Sequence, residues 1–215
     1  MSGGTVGIFD QKTGPPPRPE LYLRFPDHVG DLDEDGVFRV EVPTGSYYVG
    51  AMQAQPDKQA SQPREGDYLL VIKGDDGKPK LFKVGEQDTL DIGVNEGGEV
   101  FVPTEDIALN NAAIRGRITA ANGNPVGGVI LIGTDMRKSL DSSPGFFSKA
   151  TGDDGMFQIA FPGPGTYRVR LTLKQESVHR FSLNNKNAKI KIENESLLVT
   201  LKENRLLDGI DLTIN

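Results

Sequence analysis

The chain has 215 residues, of which 25% are charged and 36% hydrophobic; its formal net charge is −6 and it has no cysteine. The absence of cysteine excludes disulfides, thiolate metal sites and thiol nucleophiles. The negative charge, without a clustered basic stripe, argues against a nucleic-acid partner, and no apolar run is long enough for membrane insertion.

The first half opens with an apolar strand pattern at Val6-Gly-Ile-Phe9 and a proline-rich turn at Thr13-Gly-Pro-Pro-Pro17. Asp35-Gly36 then predicts a hairpin turn, because Gly accepts a positive φ and Asp bonds its own backbone. Strict alternation follows the turn and predicts a half-buried strand. The residues on its inward face are Phe38, Val40 and Val42.

Three carboxylates precede Gly36 at alternate positions: Asp31, Asp33 and Asp35. This spacing matches the opening half of a calcium loop, in which a tight turn points alternate side chains at one hard cation. The closing position of such a loop needs a bidentate Glu, but it is occupied here by Val42, and Glu41 comes one position early. Two interpretations stay open, a calcium site or an acidic hairpin turn without metal. No other cofactor is predicted.

The segment 53–66 is polar, contains two prolines and has no large apolar side chain. It cannot bury a face, so we expect a long projecting loop, either as a simple insertion or as a docking loop. Asp75-Asp76-Gly77 predicts another hairpin turn rather than a phosphate loop. The linker is predicted at 103–113, where Thr104–Leu109 could form one helical turn.

The second half repeats the first, since Thr151–Tyr167 matches Asp31–Tyr47 with one inserted residue. Asp154-Gly155 aligns with Asp35-Gly36, and Phe157 aligns with Phe38. A repeat of this size predicts two tandem domains. We place them at 1–102 and 114–215.

Period-two alternation recurs along the second half and predicts several half-buried strands. Their inward residues are Ile114, Gly116 and Ile118; Phe157, Ile159 and Phe161; Tyr167, Val169, Leu171 and Leu173; Leu197, Val199 and Leu201; and Ile210, Leu212 and Ile214. No segment has a convincing helical pattern. The predicted fold is therefore all-β, with two tandem immunoglobulin-like (transthyretin-like) antiparallel β-sandwiches.

A second loop, at 134–149, contains Met136, Phe146 and Phe147 among Ser and Gly residues. Exposed aromatic side chains there would mark a contact surface. The alternative is that both Phe side chains cover the core, and the sequence favours neither.

Three motifs together resemble the carboxypeptidase regulatory-like domain, whose sandwich is shared with transthyretin-like and collagen-adhesin B-type domains. They are Gly116–Leu131, Asp153–Phe157 and Pro162–Val169, while in the first half only Asp31–Val49 fits well. Gly152 stands where the family usually has Asp. The resemblance implies adhesion, carbohydrate or protein binding, or a spacer role, usually outside the cytoplasm. These motifs consist of turn and core residues, so they specify fold more than function.

Catalysis is not expected. The two histidines, His28 in a predicted loop and His179 in a predicted strand, have no partner at the spacing of a hydrolytic motif. The Tyr-Arg-Gly-Ser ending of the related hydroxyisourate hydrolases is absent. Collagen-adhesin domains can form an isopeptide bond between a buried Lys and an Asn. This bond is not predicted here, because no Lys is on an inward face of an assigned strand. Lys186, Lys189 and Lys191 are interpreted as the solvent side of a strand.

We therefore expect a non-catalytic, exported and surface-associated binding or assembly module, whose loops or sheet edges engage a protein or carbohydrate partner. The chain opens Met1-Ser2-Gly3-Gly4 without a signal-peptide pattern, a start that we interpret as trimmed. The alternative is a small-ligand carrier or hydrolase that uses a pocket between the sheets or domains. The sequence does not indicate an oligomeric state.

Overall fold

The computed structural model describes residues 3–55, 63–86, 88–102, 111–137, 145–173, 183–185, 190–193, 196–203 and 205–214. In these residues the regular structure is entirely β, as predicted, and no helix long and apolar enough to cross a membrane occurs among them. Contacts divide the chain into two compact units. The first comprises Met1–Arg18 and Pro26–Thr104, and the second Pro19–Phe25 and Glu105–Asn215.

The first unit contains one six-stranded antiparallel sheet with the order β3-β1-β4-β5-β7, and β6 also pairs with β4. Apolar side chains of one face form its core, which contains Val6, Ile8, Tyr47, Val49, Ile72 and Phe82. The strands are β1 (Thr5–Asp10), β3 (His28–Asp31), β4 (Gly45–Gln53), β5 (Tyr68–Val71), β6 (Phe82–Val84) and β7 (Glu99–Val100).

The segment after Gly36 has the alternating side chains of the predicted strand, but its backbone does not pair with a neighbouring strand. Phe38, Val40 and Val42 pack against the core, while the residues between them are exposed. The segment nevertheless forms no strand ladder. It follows β3 closely, because a Cβ on Gly30 would lie 2.5 Å from Val40 Cγ2. Extended chain held by side-chain packing therefore covers part of this sheet.

The second unit is a β-sandwich. One sheet has the order β14-β15-β12-β9-β10-β2 and the other β11-β8-β16-β13. Aromatic and aliphatic side chains from both sheets fill the space between them, with Phe161 stacked on Tyr167 at 3.9 Å between ring centroids. The strands are β2 (Leu23–Arg24), β8 (Ala112–Ala120), β9 (Val129–Asp135), β10 (Gly145–Phe147), β11 (Met156–Phe161), β12 (Gly165–Leu173), β13 (Leu183–Asn185), β14 (Ile190–Glu193), β15 (Ser196–Leu201) and β16 (Leu206–Ile214).

One pair of strands departs from the predicted antiparallel arrangement. β16 pairs with β8 in parallel, with an irregularity between Leu207 and Ile210. Gly209 has a φ of 72° within that irregularity, and a Cβ on Gly116 would lie 1.8 Å from the Ile210 carbonyl oxygen. β8 and β16 thus run in the same direction, and Gly116 permits their close backbone approach.

Two further placements differ from the sequence-based predictions. Pro19–Phe25 falls inside the predicted first domain, but its contacts assign it to the second unit. His28 was predicted in a loop and lies instead in β3, opposite Ile8. Most of the predicted linker, including the segment predicted as a helical turn, is outside the described residues. His179, Lys186 and Lys189 are also outside them, and of Lys191 only the backbone is described.

Candidate functional site

The acidic turn before Gly36 is stabilised by one of its own carboxylates. Asp33 Oδ1 accepts hydrogen bonds from the amides of Asp35 at 3.0 Å and Val37 at 2.7 Å. The Gly36 amide donates to the Asp33 carbonyl at 3.0 Å, and Gly36 has a φ of 76°. Asp33 therefore points one oxygen at the backbone of its own turn.

The structure does not bring Asp31, Asp33 and Asp35 together as metal ligands. Among the described residues, which include all three, no group of three or more His, Cys, Asp or Glu side chains could hold a metal ion. The second copy has the same backbone bond, from the Gly155 amide to the Gly152 carbonyl, but its accepting carboxylate is Asp154, whose Oδ1 accepts from the Met156 amide. The geometry supports the acidic-turn interpretation, and the calcium site stays a hypothesis for a binding test.

Asp67 joins the two ends of the predicted docking loop. Its side chain is buried, and its two carboxylate oxygens accept from the amides of Gln55 at 3.1 Å and Arg64 at 2.8 Å. The Asp67 carbonyl in turn accepts from the Phe101 amide at 2.7 Å. Residues 56–62 of the predicted loop 53–66 are outside the described residues. Sequence reasoning missed Asp67, although an acidic residue at the start of a strand was a signal for it.

The second predicted loop does not expose its aromatic side chains. Phe146 is 1% and Phe147 5% exposed. Phe146 packs edge-on against Phe161 and Tyr167, whereas Phe147 stacks with Phe25 at 4.2 Å. The contact-surface interpretation of these two residues is therefore wrong: Phe146 belongs to the core between the sheets, and Phe147 is buried beneath the ring of Phe25. Residues 138–144 of this loop are outside the described part of the chain.

Each unit places an aspartate opposite a buried tyrosine. In the first unit Asp10 pairs with Tyr47, and in the second Asp135 pairs with Tyr167. Burial raises the Tyr167 pKa to about 12, and the nearby Asp135 charge adds to this effect. Arg137 Nε and Nη2 contact both Asp135 oxygens, at 2.6 to 3.1 Å.

The corresponding tyrosine of the first unit is also surrounded by acidic groups. Burial raises the pKa of Tyr47, followed by the charges of Asp10 and Asp27. The ring centroid of His28 lies 6.3 Å from that of Tyr47, in an edge-to-face arrangement. Asp27 accepts from the Asp10 amide at 2.7 Å and from the Thr13 hydroxyl at 2.8 Å. These groups fix one end of the sheet.

An apolar edge in the first unit was not predicted. Tyr68 and Val100 are register partners and are 49% and 48% exposed. Val102, two residues further along the same side, is 68% exposed. Because β7 is the last strand of its sheet order, these side chains form an exposed apolar surface at a sheet edge, which we call the β7 edge. This surface could not be predicted from the pattern of residues, since a short strand has too few residues to show a period.

No family model matches the chain, and no curated protein matches its sequence. Among solved structures it is similar to the Bacillus anthracis TIE protein, with 15% identity and a TM-score of 0.30; the match covers 100% of this chain but 31% of that protein, so the chain spans about a third of its length.

The chain is also similar to GBS52, the minor pilin of Streptococcus agalactiae, with 11% identity and a TM-score of 0.30, over 100% of this chain and 84% of that one. A streptococcal ancillary pilin shares 13% identity with a TM-score of 0.29, over 86% of this chain and 50% of that one. These values are low, and the fold described above rests on the strands and their register.

Proposed function

We propose that this chain is a non-catalytic, surface-associated assembly or adhesion module that acts outside the cytoplasm and binds a protein partner through the β7 edge. The observation that carries the proposal is the apolar surface formed there by Tyr68, Val100 and Val102. Contiguous exposed apolar side chains mark interaction sites, and a terminal strand can pair with an extended segment of another protein.

The carboxylates with described contacts have structural roles, which agrees with a binding role rather than a hydrolytic one. Asp33 and Asp67 accept backbone amides, while Asp135 binds Arg137. The interior of the second unit is filled by the rings of Phe146, Phe161 and Tyr167 rather than by convergent polar groups. No observation on the described residues favours the small-ligand carrier.

The proposed family membership of the second half, that of the carboxypeptidase regulatory-like domain, is supported by its turn and core motifs. Gly155 has a φ of 70° in the Asp-Gly turn, and a Cβ there would lie 2.4 Å from the Ile118 carbonyl oxygen. Tyr167, which ends Pro162-Gly-Pro-Gly-Thr-Tyr167, is fully buried. Such motifs fix the sandwich, and they agree equally with a protein or a carbohydrate partner.

The test is cross-linking in the native cell. A photoreactive side chain placed at Val102 should capture a protein partner that mass spectrometry identifies as exported. The matched control is the same group at Val94, which is 91% exposed and lies outside the strands. Equal capture at both positions, or capture of cytoplasmic proteins alone, would overturn the proposal. Release of captured material by glycosidase would instead identify a carbohydrate partner.

A further inference from the structure

The outer edge of β10 in the second unit holds a short extended segment, Pro19–Phe25. Within it β2 pairs with β10 in the register Leu23 to Phe147 and Arg24 to Phe146, and it is the terminal strand of its sheet. The Phe25 amide extends this pairing by donating to the Gly145 carbonyl at 2.9 Å. Backbone hydrogen bonds therefore fix the direction and register of the segment.

Aromatic side chains secure the segment on both faces of the β10 edge. Tyr22 is 5% exposed, belongs to the core cluster and contacts Phe146 edge-on at 5.7 Å between ring centroids. Phe25 stacks on Phe147 at 4.2 Å. Since Phe146 and Phe147 point to opposite faces of the sheet, the edge accepts one ring on each side. Asn111 adds a hydrogen bond from its side-chain amide to the Leu21 carbonyl at 3.2 Å.

The segment is joined at both ends to residues of the first unit, Arg18 and Pro26. Prolines at both of its boundaries, Pro19 and Pro26, restrict the backbone and favour extended conformations. These restrictions lower the conformational entropy that is lost when the segment docks. Every copy of the chain carries both the ligand segment and its acceptor edge.

We propose that the β10 edge is a strand-acceptor groove that also takes Pro19–Phe25 from a second copy of this chain, so that two copies exchange the segment. The inference rests on the proposed assembly role and names one partner for it. The described contacts of the segment would be the same in the exchanged and the closed forms, and concentration decides between the two. Reciprocal exchange would give a closed dimer.

The test uses disulfide trapping, because the chain has no cysteine of its own. Phe25→Cys and Gly145→Cys are suitable, since a Cβ on Gly145 would lie 2.9 Å from Phe25 Cδ2. Two singly substituted full-length chains with different mass tags are unfolded together, refolded at high concentration and oxidised. We expect a mixed disulfide several-fold more abundant than for Phe25→Cys paired with exposed Val94→Cys. Equal amounts would overturn the proposal.

A second measurement uses the unsubstituted chain, so that it does not depend on how the cysteine variants fold. Light scattering after refolding should show a dimer fraction that increases with protein concentration. A synthetic peptide of Pro19–Phe25 added during refolding should lower that fraction, and the same peptide with Ser in place of Tyr22 and Phe25 should not. A chain that stays monomeric at every concentration contradicts the exchange. Photo-cross-linking at Val102 does not involve β10, so a result that excludes segment exchange would leave the proposed function standing.

Discussion

Tyr47 and Tyr167 make the same hydrogen bond at corresponding places in the two halves of the chain. Each hydroxyl donates to the carbonyl four residues earlier, Tyr47 to Pro43 at 2.6 Å and Tyr167 to Gly163 at 2.7 Å. The arrangement is similar to the tyrosine corner of immunoglobulin-like sandwiches. The internal repeat is therefore preserved in a specific contact, although the strands around the two residues pair differently.

Removing either hydroxyl should destabilise the chain. We expect Tyr47→Phe and Tyr167→Phe each to lower the free energy of unfolding by about 1 kcal/mol, because the carbonyl loses its donor while the ring packing is kept. Urea unfolding of the full chain measures the effect. The control is Tyr68→Phe at an exposed position, with an expected change within about 0.5 kcal/mol. Equal midpoints for all three variants would contradict a stabilising role for these bonds.

The raised pKa of Tyr167 predicts a loss of stability at alkaline pH. Its folded-state pKa of about 12 lies above the ordinary value of 10.0, so folding favours the neutral phenol. The resulting stabilisation is fully present below about pH 10 and is lost as the pH rises toward 12. Phenolate absorbance should show a late-titrating tyrosine that Tyr167→Phe removes. A titration in which every tyrosine ionises near pH 10 would contradict this.

Gly116 should not tolerate a side chain. A methyl group there would meet the Ile210 carbonyl, so Gly116→Ala must separate β8 from β16, at a cost of roughly 1–3 kcal/mol or more. Gly163→Ala is the matched control, because a Cβ there would meet nothing within 4 Å. Thermal unfolding compares the two variants. A Gly116→Ala midpoint equal to that of the control would exclude the close approach.

Asp67 should stabilise the first unit through its two accepted amides. We expect Asp67→Ala to lower the free energy of unfolding by about 1–3 kcal/mol, because the amides of Gln55 and Arg64 lose their acceptor. Asp67→Asn keeps one acceptor oxygen and should have a smaller effect. The control is Asp75→Ala at an exposed turn. Unfolding midpoints that do not distinguish Asp67 from Asp75 would show that the bridge contributes little.

Calcium should leave the stability of the chain unchanged. Asp33 already accepts two amides, and no metal-ligand group forms among the described residues. We therefore expect the same melting midpoint with millimolar calcium and with chelator. Asp33→Ala should lower that midpoint in both conditions, since it removes the bonds that form the turn. A midpoint that rises with calcium, and does so only when Asp33 is present, would restore the calcium hypothesis.

The alternation of apolar and polar residues predicted much of the second unit, because each of its longer strands has one buried face and enough residues to show a period of two. Phe157, Ile159 and Phe161 are all buried as expected, and so are Tyr167 and Val169. The parallel pairing of β8 with β16 could not be predicted in the same way. Alternation identifies which residues of a strand face inward, but it contains no information about which neighbour the strand meets.

The other differences between prediction and structure also arise because a local pattern contains no information about neighbours that are distant in sequence. Phe38 and Val40 face the core as their spacing predicted, yet whether a segment completes a ladder depends on the backbone beside it. Asp67 and the β7 edge were missed because single residues and very short strands carry no period. Tyr22 and Phe25 were also missed, since their partners Phe146 and Phe147 lie far away in sequence.

The detour of the chain through Pro19–Phe25 limits how this protein can be divided. A single cut near the linker would separate β10 from Tyr22 and Phe25, and the fragment that carried β10 would lose the ring that stacks on Phe147 and the ring that contacts Phe146 edge-on. Gene rearrangement or proteolysis at that point would therefore yield a fragment with exposed apolar surface that is prone to aggregate, and not an autonomous domain. For that reason the two halves should be inherited, expressed and engineered as one indivisible length of polypeptide.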